Sequence, residues 1–280
     1  MYRKLSLMAM ALGVLFLGSV LVIAFSGASS VDAQSDSAAE FVGSDTCGDC
    51  HFVQAEQQEQ HGHSNILTPV DGEAPEFPHD YVVEPPEGYT WDDISFVNGG
   101  FTNSIRFLDQ NGYVITGTSE EAMTQYDLPI VDERTGDVIA EGRWVAYRPG
   151  EPERAYTCGS CHTTGYNHDR NTHMYDMPGL VGEWAEEGVQ CEECHGAGSL
   201  HVEDPISVNM LVDGSSESCA NCHYRGEVGD VDARDGFLRY HEQYDEVLKT
   251  PHAALDCVAC HDPHRSVQYA DEDANPMQGL

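Results

Sequence analysis

Basic residues are scarce in this sequence. Lys and Arg number 13 against 48 Asp and Glu, which gives a formal net charge of -35 over 280 residues. Because neutralising a phosphate backbone requires clustered cations, this deficit excludes a nucleic-acid-binding protein and argues against docking on anionic lipid headgroups. The acidic surface favours either solvation outside the cell or recognition of a cationic partner or mineral surface.

Features of fibrous and disordered chains are also missing. The 13 Pro and 27 Gly are scattered through ordinary apolar segments, and 40% of the residues are hydrophobic. Collagen-like, coiled-coil and fully disordered chains are therefore excluded. The acidic run 271–273 could attract Ca²⁺, but the sequence contains no spaced calcium-binding loop.

Only one long apolar run occurs, at the N-terminus. A short basic segment precedes the apolar stretch 5–25, and small residues follow it. This order is typical of a secretory signal peptide at 1–33, cut after Ala33. The run is long enough to span a bilayer, so an uncleaved anchor is the alternative. We expect a secreted, extracellular protein with no membrane span after cleavage, and a periplasmic one is the alternative.

No cysteine lies outside one repeated pattern. All ten belong to five CxxCH motifs, Cys47–His51, Cys158–His162, Cys191–His195, Cys219–His223 and Cys257–His261. Exported proteins with many Cys ordinarily form disulfides, but this spacing indicates another use. Thioredoxin-like redox would need one CxxC in a βαβ context, and zinc ribbons use CxxC motifs in pairs. The repetition favours attachment of c-type haem.

The motif spacing suits that attachment. Two thiols on one turn of chain add to the two vinyl groups on one haem edge, and the following His binds the iron. The sequence thus predicts five covalently bound haem c groups. Thioether bonds are expected from Cys47, Cys50, Cys158, Cys161, Cys191, Cys194, Cys219, Cys222, Cys257 and Cys260. The expected proximal ligands are His51, His162, His195, His223 and His261.

Five distal ligands are then needed to fill the sixth positions. Nine His remain, which is enough for bis-His ligation throughout: His61, His63, His79, His168, His173, His201, His241, His252 and His264. Ligation by Met stays open and would raise the potential of the haem concerned. The mature chain offers Met123, Met174, Met177, Met210 and Met277.

Chain length limits which haem three of these His can reach. His264 follows His261 by three residues, and His201 follows His195 by six. Segments this short cannot pass round the macrocycle to the far face of the same haem. His252, just before Cys257, is in a similar position. If these three bind iron, each binds a neighbouring haem, which would pack adjacent haems closely.

The other candidates differ in their surroundings. His241 lies in a helix-like segment without a nearby motif and is a good long-range ligand. His61 and His63 form an HxH pair after a polar helical run, and we expect only one of them, His63, to bind iron. The polar loops around the remaining three suggest solvated surface residues: His79, His168 and His173.

Motif spacing and composition divide the chain into segments. The predicted units are a signal peptide at 1–33, an N-terminal segment with the first motif at 34–80, a β-rich insert at 81–150, a four-haem block at 151–267 and an acidic tail at 268–280. The insert shows an Asn111-Gly112 turn between apolar runs and a second hairpin pattern over 128–147. A scaffold beside the haems is its expected role, and a docking surface is the alternative.

The resulting fold class is a multihaem cytochrome c, with sparse short α-helices and loops around a haem chain and a small antiparallel β insert. Too few residues are present to wrap each haem in its own core, so the porphyrins are expected to touch one another. Trp144 and Trp184 are expected to pack in the core.

Several segments resemble the extracellular multihaem cytochromes that polymerise into conductive filaments, here as a pentahaem member. The similar segments are Cys158–Tyr166, Gly188–His201, His241–Glu246 and Cys257–His264. The resemblance implies bis-His haems in a continuous chain of parallel and T-shaped pairs. It implies distal roles for His63, His201, His241, His252 and His264. It also implies a homopolymer in which one axial His, here His61 or His63, comes from the next subunit.

These observations lead to three hypotheses about function. The first is a non-enzymatic electron conduit outside the inner membrane, assembled into a filament and exchanging electrons with redox partner cytochromes or an extracellular acceptor. The second is a soluble periplasmic electron shuttle. The third is a multihaem reductase of nitrogen or sulfur oxyanions, which would need one haem with an open position. Because distal candidates are in surplus and no CxxCK motif occurs, the sequence predicts that the protein is not an enzyme.

Overall fold

The computed structural model describes residues 39–77, 84–101, 103–132, 135, 137–171, 173–224, 233–234, 237–238 and 243–265. The predictions for the signal peptide, His79, His241 and the acidic tail lie outside these residues. Within them, none of the helices combines the length and apolarity that a bilayer crossing needs.

The helices in the described part of the chain are short, and four of them contain cysteines of CxxCH motifs. They are α1 (Ser44–Gly48), α2 (Phe52–Glu59), α3 (Gly159–His162), α4 (Cys191–His195), α5 (Ser199–Glu203), α6 (Ser216–His223) and α7 (Gln243–Leu248). Three 3₁₀ turns span Trp91–Asp93, Met174–Asp176 and Cys257–Ala259. Isolated helices this short do not form in water, so contacts with the rest of the molecule must hold them. The expectation of few, short helices is confirmed.

An antiparallel sheet of seven strands forms the largest regular element. Its central order is β1 (Leu67–Pro69), β2 (Ile94–Gly99), β3 (Ser104–Asp109), β4 (Tyr113–Val114) and β9 (Arg154–Ala155). In addition, β5 (Met123–Asp127) pairs with β3 and with β8 (Arg143–Ala146). The sheet thus uses strands on both sides of the predicted range 81–150, and it is larger than the small insert expected from the sequence.

The remaining strands form separate two-stranded ribbons. They are β6 (Ile130–Asp132) with β7 (Asp137–Ala140), β10 (Thr163–Thr164) with β11 (Glu186–Glu187), and β12 (Ala233–Arg234) with β13 (Phe237–Leu238). The hairpin predicted over 128–147 is therefore split. Strand β6 pairs with β7, whereas β8 pairs with β5, which precedes the predicted hairpin in sequence.

The hairpin with the Asn111-Gly112 turn is confirmed. The β3 residue Leu108 pairs with Val114 of β4, and Gly112 takes the positive φ of 78° that this turn requires. The side chain of Asp109 accepts hydrogen bonds from the backbone N–H groups of Asn111 and Tyr113 at 2.9 and 3.0 Å. These bonds stabilise the turn because they supply acceptors to N–H groups that the strands leave unpaired.

Two hydrophobic clusters hold the sheet. One consists of Ile94, Val97, Ile105, Phe107, Ile115 and Leu128, with Trp144 packed against it. The other consists of Leu67, Phe96, Leu108, Val114, Tyr156, Leu180 and Trp184, with Cys158 packed against it. Both Trp residues therefore pack with the core, as predicted. The contact of Cys158 with the second cluster brings the second CxxCH motif directly against the sheet.

Candidate haem-binding site

Each CxxCH motif folds as a single turn of chain. In the first, the N–H groups of Cys50 and His51 donate to the carbonyl of Cys47 at 3.2 and 2.9 Å, and the fifth repeats this pattern. The turn brings the two thiols of a motif to one side. All ten cysteines lie within the described residues, and none is in a disulfide. The thiols are thus arranged as thioether attachment requires.

Two of the motif cysteines have a thiol pKa well above its ordinary value. Burial, reinforced by nearby Cys191 and acidic groups, raises the pKa of Cys47 to about 11. Burial and the neighbouring Cys161 raise the pKa of Cys222 to about 12. Catalytic CxxC pairs instead depend on a lowered thiol pKa. These raised values disfavour a thioredoxin-like role for Cys47 and Cys222.

The five motifs form one connected group. Helix α1 of the first motif packs against α4 of the third, although the two are far apart in sequence. Helix α6 of the fourth motif packs against α3 of the second and against the 3₁₀ turn of the fifth. Cys194 of the third motif interacts with Cys219 of the fourth. Groups attached at these motifs would therefore lie close to one another.

Three pairs of imidazoles face each other at a spacing that fits a shared metal ion. Two imidazoles that bind one metal from opposite sides, at about 2 Å per metal–nitrogen bond, have ring centroids about 6 Å apart. The centroid distances are 6.3 Å for His51 and His201, 6.0 Å for His63 and His223, and 6.0 Å for His195 and His264. Each pair joins one motif histidine to one histidine outside the motifs. These three distances therefore match the spacing expected for a haem with an imidazole on each side.

Hydrogen bonds orient several of these rings. The Nδ1 atoms of His195 and His201 lie 2.6 and 2.7 Å from the carbonyl oxygens of Leu211 and Val208. A carbonyl oxygen can only accept, so Nδ1 must carry the proton, and Nε2 is left unprotonated to bind a metal. His162 makes the same contact with the side-chain oxygen of Asn98, and His223 with that of Gln243.

Burial lowers the pKa of both histidines of the HxH pair. The Nδ1 atom of His61 accepts a hydrogen bond from the backbone N–H of His63 at 3.0 Å, so a neutral His61 carries its proton on Nε2. Burial, reinforced by His61 and His223, lowers the pKa of His63 to about 3. The ring of His63 is thus the neutral imidazole that iron ligation requires, and it lies beside His223 of the same chain.

A pair of substitutions separates the two histidines. His63→Ala is expected to convert one haem per chain to the high-spin ferric form, because it removes one imidazole of the pair with His223. His61→Ala, two residues away, is the matched control and should leave the spin state as in the wild type. Electron paramagnetic resonance of the oxidised protein measures both. A high-spin signal from His61→Ala alone would show that the assignment is reversed.

The other predicted ligands stay predictions. His252 is exposed and has no ring partner in the part of the chain that the structure describes, and His241 lies outside that part. His168 and His173 are exposed, which agrees with solvated surface residues. Among the methionines, Met174 accepts a hydrogen bond from the backbone N–H of Trp184 at 3.2 Å. Its sulfur is therefore already used in the core.

Two residues that the sequence did not point to also contact the site. Glu192, inside the third motif, is only 2% exposed and accepts hydrogen bonds from the backbone N–H groups of Val42, Gly43 and Gly198 at 2.7 to 3.1 Å. Asn98, on β2, contacts His162. No local pattern marks either residue, because both act on segments that are remote in sequence.

One family model matches part of the chain. Residues 141–196, which include the second and third motifs, match the family model of cytochrome c554 and c-prime. The dissimilatory sulfite reductase MccA of Wolinella succinogenes is 23% identical over 298 residues, covering 80% of this chain and 41% of that protein. The chain therefore spans less than half the length of this curated relative.

Solved structures with similarity to the chain are also longer than it is. The outer cell wall cytochrome OcwA is 21% identical, with 66% of this chain and 38% of that chain covered and a TM-score of 0.43. The undecahaem cytochrome from the S-layer of Carboxydothermus ferrireducens is 17% identical, with 83% and 41% covered and a TM-score of 0.45. The octahaem sulfite reductase MccA of Wolinella succinogenes is 18% identical, with 81% and 44% covered and a TM-score of 0.45.

The motifs and the matched segment define the class of this protein. It has the motifs of a multihaem cytochrome c, a class whose members bind haem c and transfer electrons. The prediction that the protein is not an enzyme is wrong, since the curated relative matched over 80% of the chain is a sulfite reductase. The prediction failed because a CxxCH motif specifies two thioethers and one axial ligand. It carries no information about the opposite side of the iron.

Proposed function

We propose that this cytochrome carries electrons outside the inner membrane through five covalently bound haems, and that its chains assemble into an extracellular conductive filament. A bound haem supplies an iron centre that accepts and returns one electron. The protein's own residues attach this group, supply its axial imidazoles and bring the attachment points together. Redox partner cytochromes or an extracellular acceptor would take up the electrons.

The observation that supports the electron conduit is that a histidine next to one motif lies beside the histidine of another motif. His201, next to the third motif, lies beside His51 of the first, and His264, next to the fifth, lies beside His195 of the third. In each case only a few residues of chain separate this histidine from its own motif, so the two motifs are held close together. Neighbouring haems held in this way would lie close enough for electrons to pass between them.

The number of haems is the first test of this proposal. Mature protein is expected to carry five covalently bound haems, because every CxxCH motif has its thiols on one turn. Mass spectrometry of the denatured protein and the pyridine haemochrome spectrum count them. Cys257→Ala/Cys260→Ala is the matched control and should carry four. Wild-type protein with fewer than five would contradict the proposal.

Assembly into a filament is suggested by the fifth motif. Its His261 makes no ring contact with another imidazole among the residues that the structure describes. The candidates for its distal ligand are therefore a remaining histidine such as His61, His241 or His252, a methionine, or a histidine of a neighbouring subunit. A ligand from the next subunit would join haem chains end to end. Electron microscopy of concentrated secreted protein should then show filaments. Dispersed single chains at high concentration would instead support a soluble periplasmic shuttle.

Similarity to a sulfite reductase supports a second function, reduction of a sulfur oxyanion. Such a reaction needs one haem that can bind substrate. Stoichiometric binding of carbon monoxide by the reduced wild-type protein, together with oxidation of reduced methyl viologen by sulfite, would establish this function. The absence of both signals would exclude it.

A further inference from the structure

The strand β2 brings a side chain into the neighbourhood of the second CxxCH motif. Asn98 is only 5% exposed and occupies the middle of the sheet, where its Cα is paired with Leu67 of β1 on one side and Arg106 of β3 on the other. Since both neighbouring strands hold the backbone here, the direction of the Asn98 side chain is set by the sheet. That direction points to the motif's histidine.

The side-chain oxygen of Asn98 accepts two hydrogen bonds. One comes from Nδ1 of His162 at 2.7 Å and the other from the hydroxyl of Tyr156 at 3.2 Å. An amide oxygen has two lone pairs, so these donors fill its capacity. Tyr156 is itself fixed, because its backbone exchanges hydrogen bonds with Gly179 and Val181 and its side chain is 1% exposed. The Asn98 amide is therefore held in one orientation.

The arrangement at His162 differs from that at His195 and His201. Those rings donate to backbone carbonyls, which no substitution can remove. At His162 the acceptor is a side chain from a separate element, 64 residues away in sequence. The sheet thus contacts the histidine of the second motif through a replaceable side chain, and this goes beyond the scaffold role expected from the sequence.

We propose that Asn98 is a positioning residue that fixes the ring orientation and the Nδ1 proton of His162 and thereby sets the reduction potential of the second haem. The proposal rests on the proposed function, because it assumes a haem attached at Cys158 and Cys161. A stronger acceptor at Nδ1 increases the electron density at Nε2 and stabilises the oxidised iron, which lowers the potential. Loss of the acceptor has the opposite effect.

Three substitutions test this role. Asn98→Asp keeps the size of the side chain and replaces the amide by a carboxylate. Asn98→Leu keeps a similar volume and removes the acceptor. Ser95→Ala is the matched control, because Ser95 is equally buried on β2 but donates to the backbone of Asp109 and not to a motif residue. If Asn98 only stabilised the strand, all three substitutions would change the reduction potential of the second haem in the same direction.

Potentiometric titration followed by visible absorbance should resolve the effect. The component of the titration that belongs to the second haem is expected to shift to lower reduction potential in Asn98→Asp and to higher potential in Asn98→Leu. The expected change is about tenfold in the equilibrium constant for reduction, or about 59 mV for a one-electron couple. Ser95→Ala should match the wild type. If the buried carboxylate prevents Asn98→Asp from accumulating, the sign of the shift in Asn98→Leu decides alone.

The possible results separate this proposal from the proposed function. Opposite shifts with the haem count unchanged support the role of Asn98. An unmoved potential in both variants, or an equal shift in Ser95→Ala, overturns it while the multihaem conduit stands. A wild-type haem count that leaves the second motif unmodified overturns the proposed function first.

Discussion

His201→Ala is expected to bind one more carbon monoxide per chain than the wild-type protein in the reduced state. In the wild-type chain the ring centroid of His201 lies 6.3 Å from that of His51, and Nδ1 of His201 lies 2.7 Å from the carbonyl oxygen of Val208. Removal of this ring leaves the haem of the first motif with one imidazole and opens its other side to a small ligand. Titration with carbon monoxide, followed in the Soret band, measures the difference.

Two further variants make this result specific. His168→Ala removes an exposed histidine that belongs to none of the three pairs, so it should bind no more carbon monoxide than the wild type. His201→Met should restore a distal ligand, keep carbon monoxide out and raise the potential of that haem. Equal uptake by His201→Ala and the wild type would show that His201 is not an axial ligand.

Glu192→Ala is expected to lower the free energy of unfolding by about 3 kcal/mol, since three backbone N–H groups lose their acceptor in a buried position. These groups belong to Val42, Gly43 and Gly198, at distances of 2.7 to 3.1 Å from the carboxylate. Denaturation by guanidinium, monitored by circular dichroism, measures the change. Glu192→Gln keeps one acceptor oxygen, so its free energy of unfolding should fall by less than that of Glu192→Ala.

The position of Glu192 gives this variant a second, local effect. Val42 and Gly43 lead into α1 with Cys47, and Gly198 precedes α5 with His201. One carboxylate therefore links both sides of the first haem site. Glu217→Ala, at an exposed position on α6, is the control and should be as stable as the wild type. If Glu192→Ala were equally stable, the buried carboxylate would not be holding these segments.

The core of the sheet was hard to predict from the sequence. Residues 94–98 of β2 are all buried, including the polar Ser95 and Asn98, so polarity along the strand does not tell which residues face the core. The β3–β4 hairpin, in contrast, has a local turn that the Asn111-Gly112 pair specifies. The pairing of β5 with β8 encloses another ribbon, and such a nonlocal pairing has no signal in either strand.

The histidines show a similar division. Chain reach places His201 and His264 away from their own motifs, but it cannot say which other motif each one meets. In the structure their rings lie beside His51 and His195. The tautomer of His61 depends on a backbone N–H two residues away, and the distinction from His63 appears only when that turn is folded.

The sequence by itself determined the chemistry of attachment, because thioether formation and the first axial ligand depend on five consecutive residues. It likewise determined the acidic surface and the class of cytochrome. The tertiary structure decided which imidazoles face one another and which side chains orient them. Those contacts join segments that are distant along the chain, as Glu192 joins residue 42 across 150 positions. Only packing of the sheet and the motif helices brings such groups within hydrogen-bonding distance.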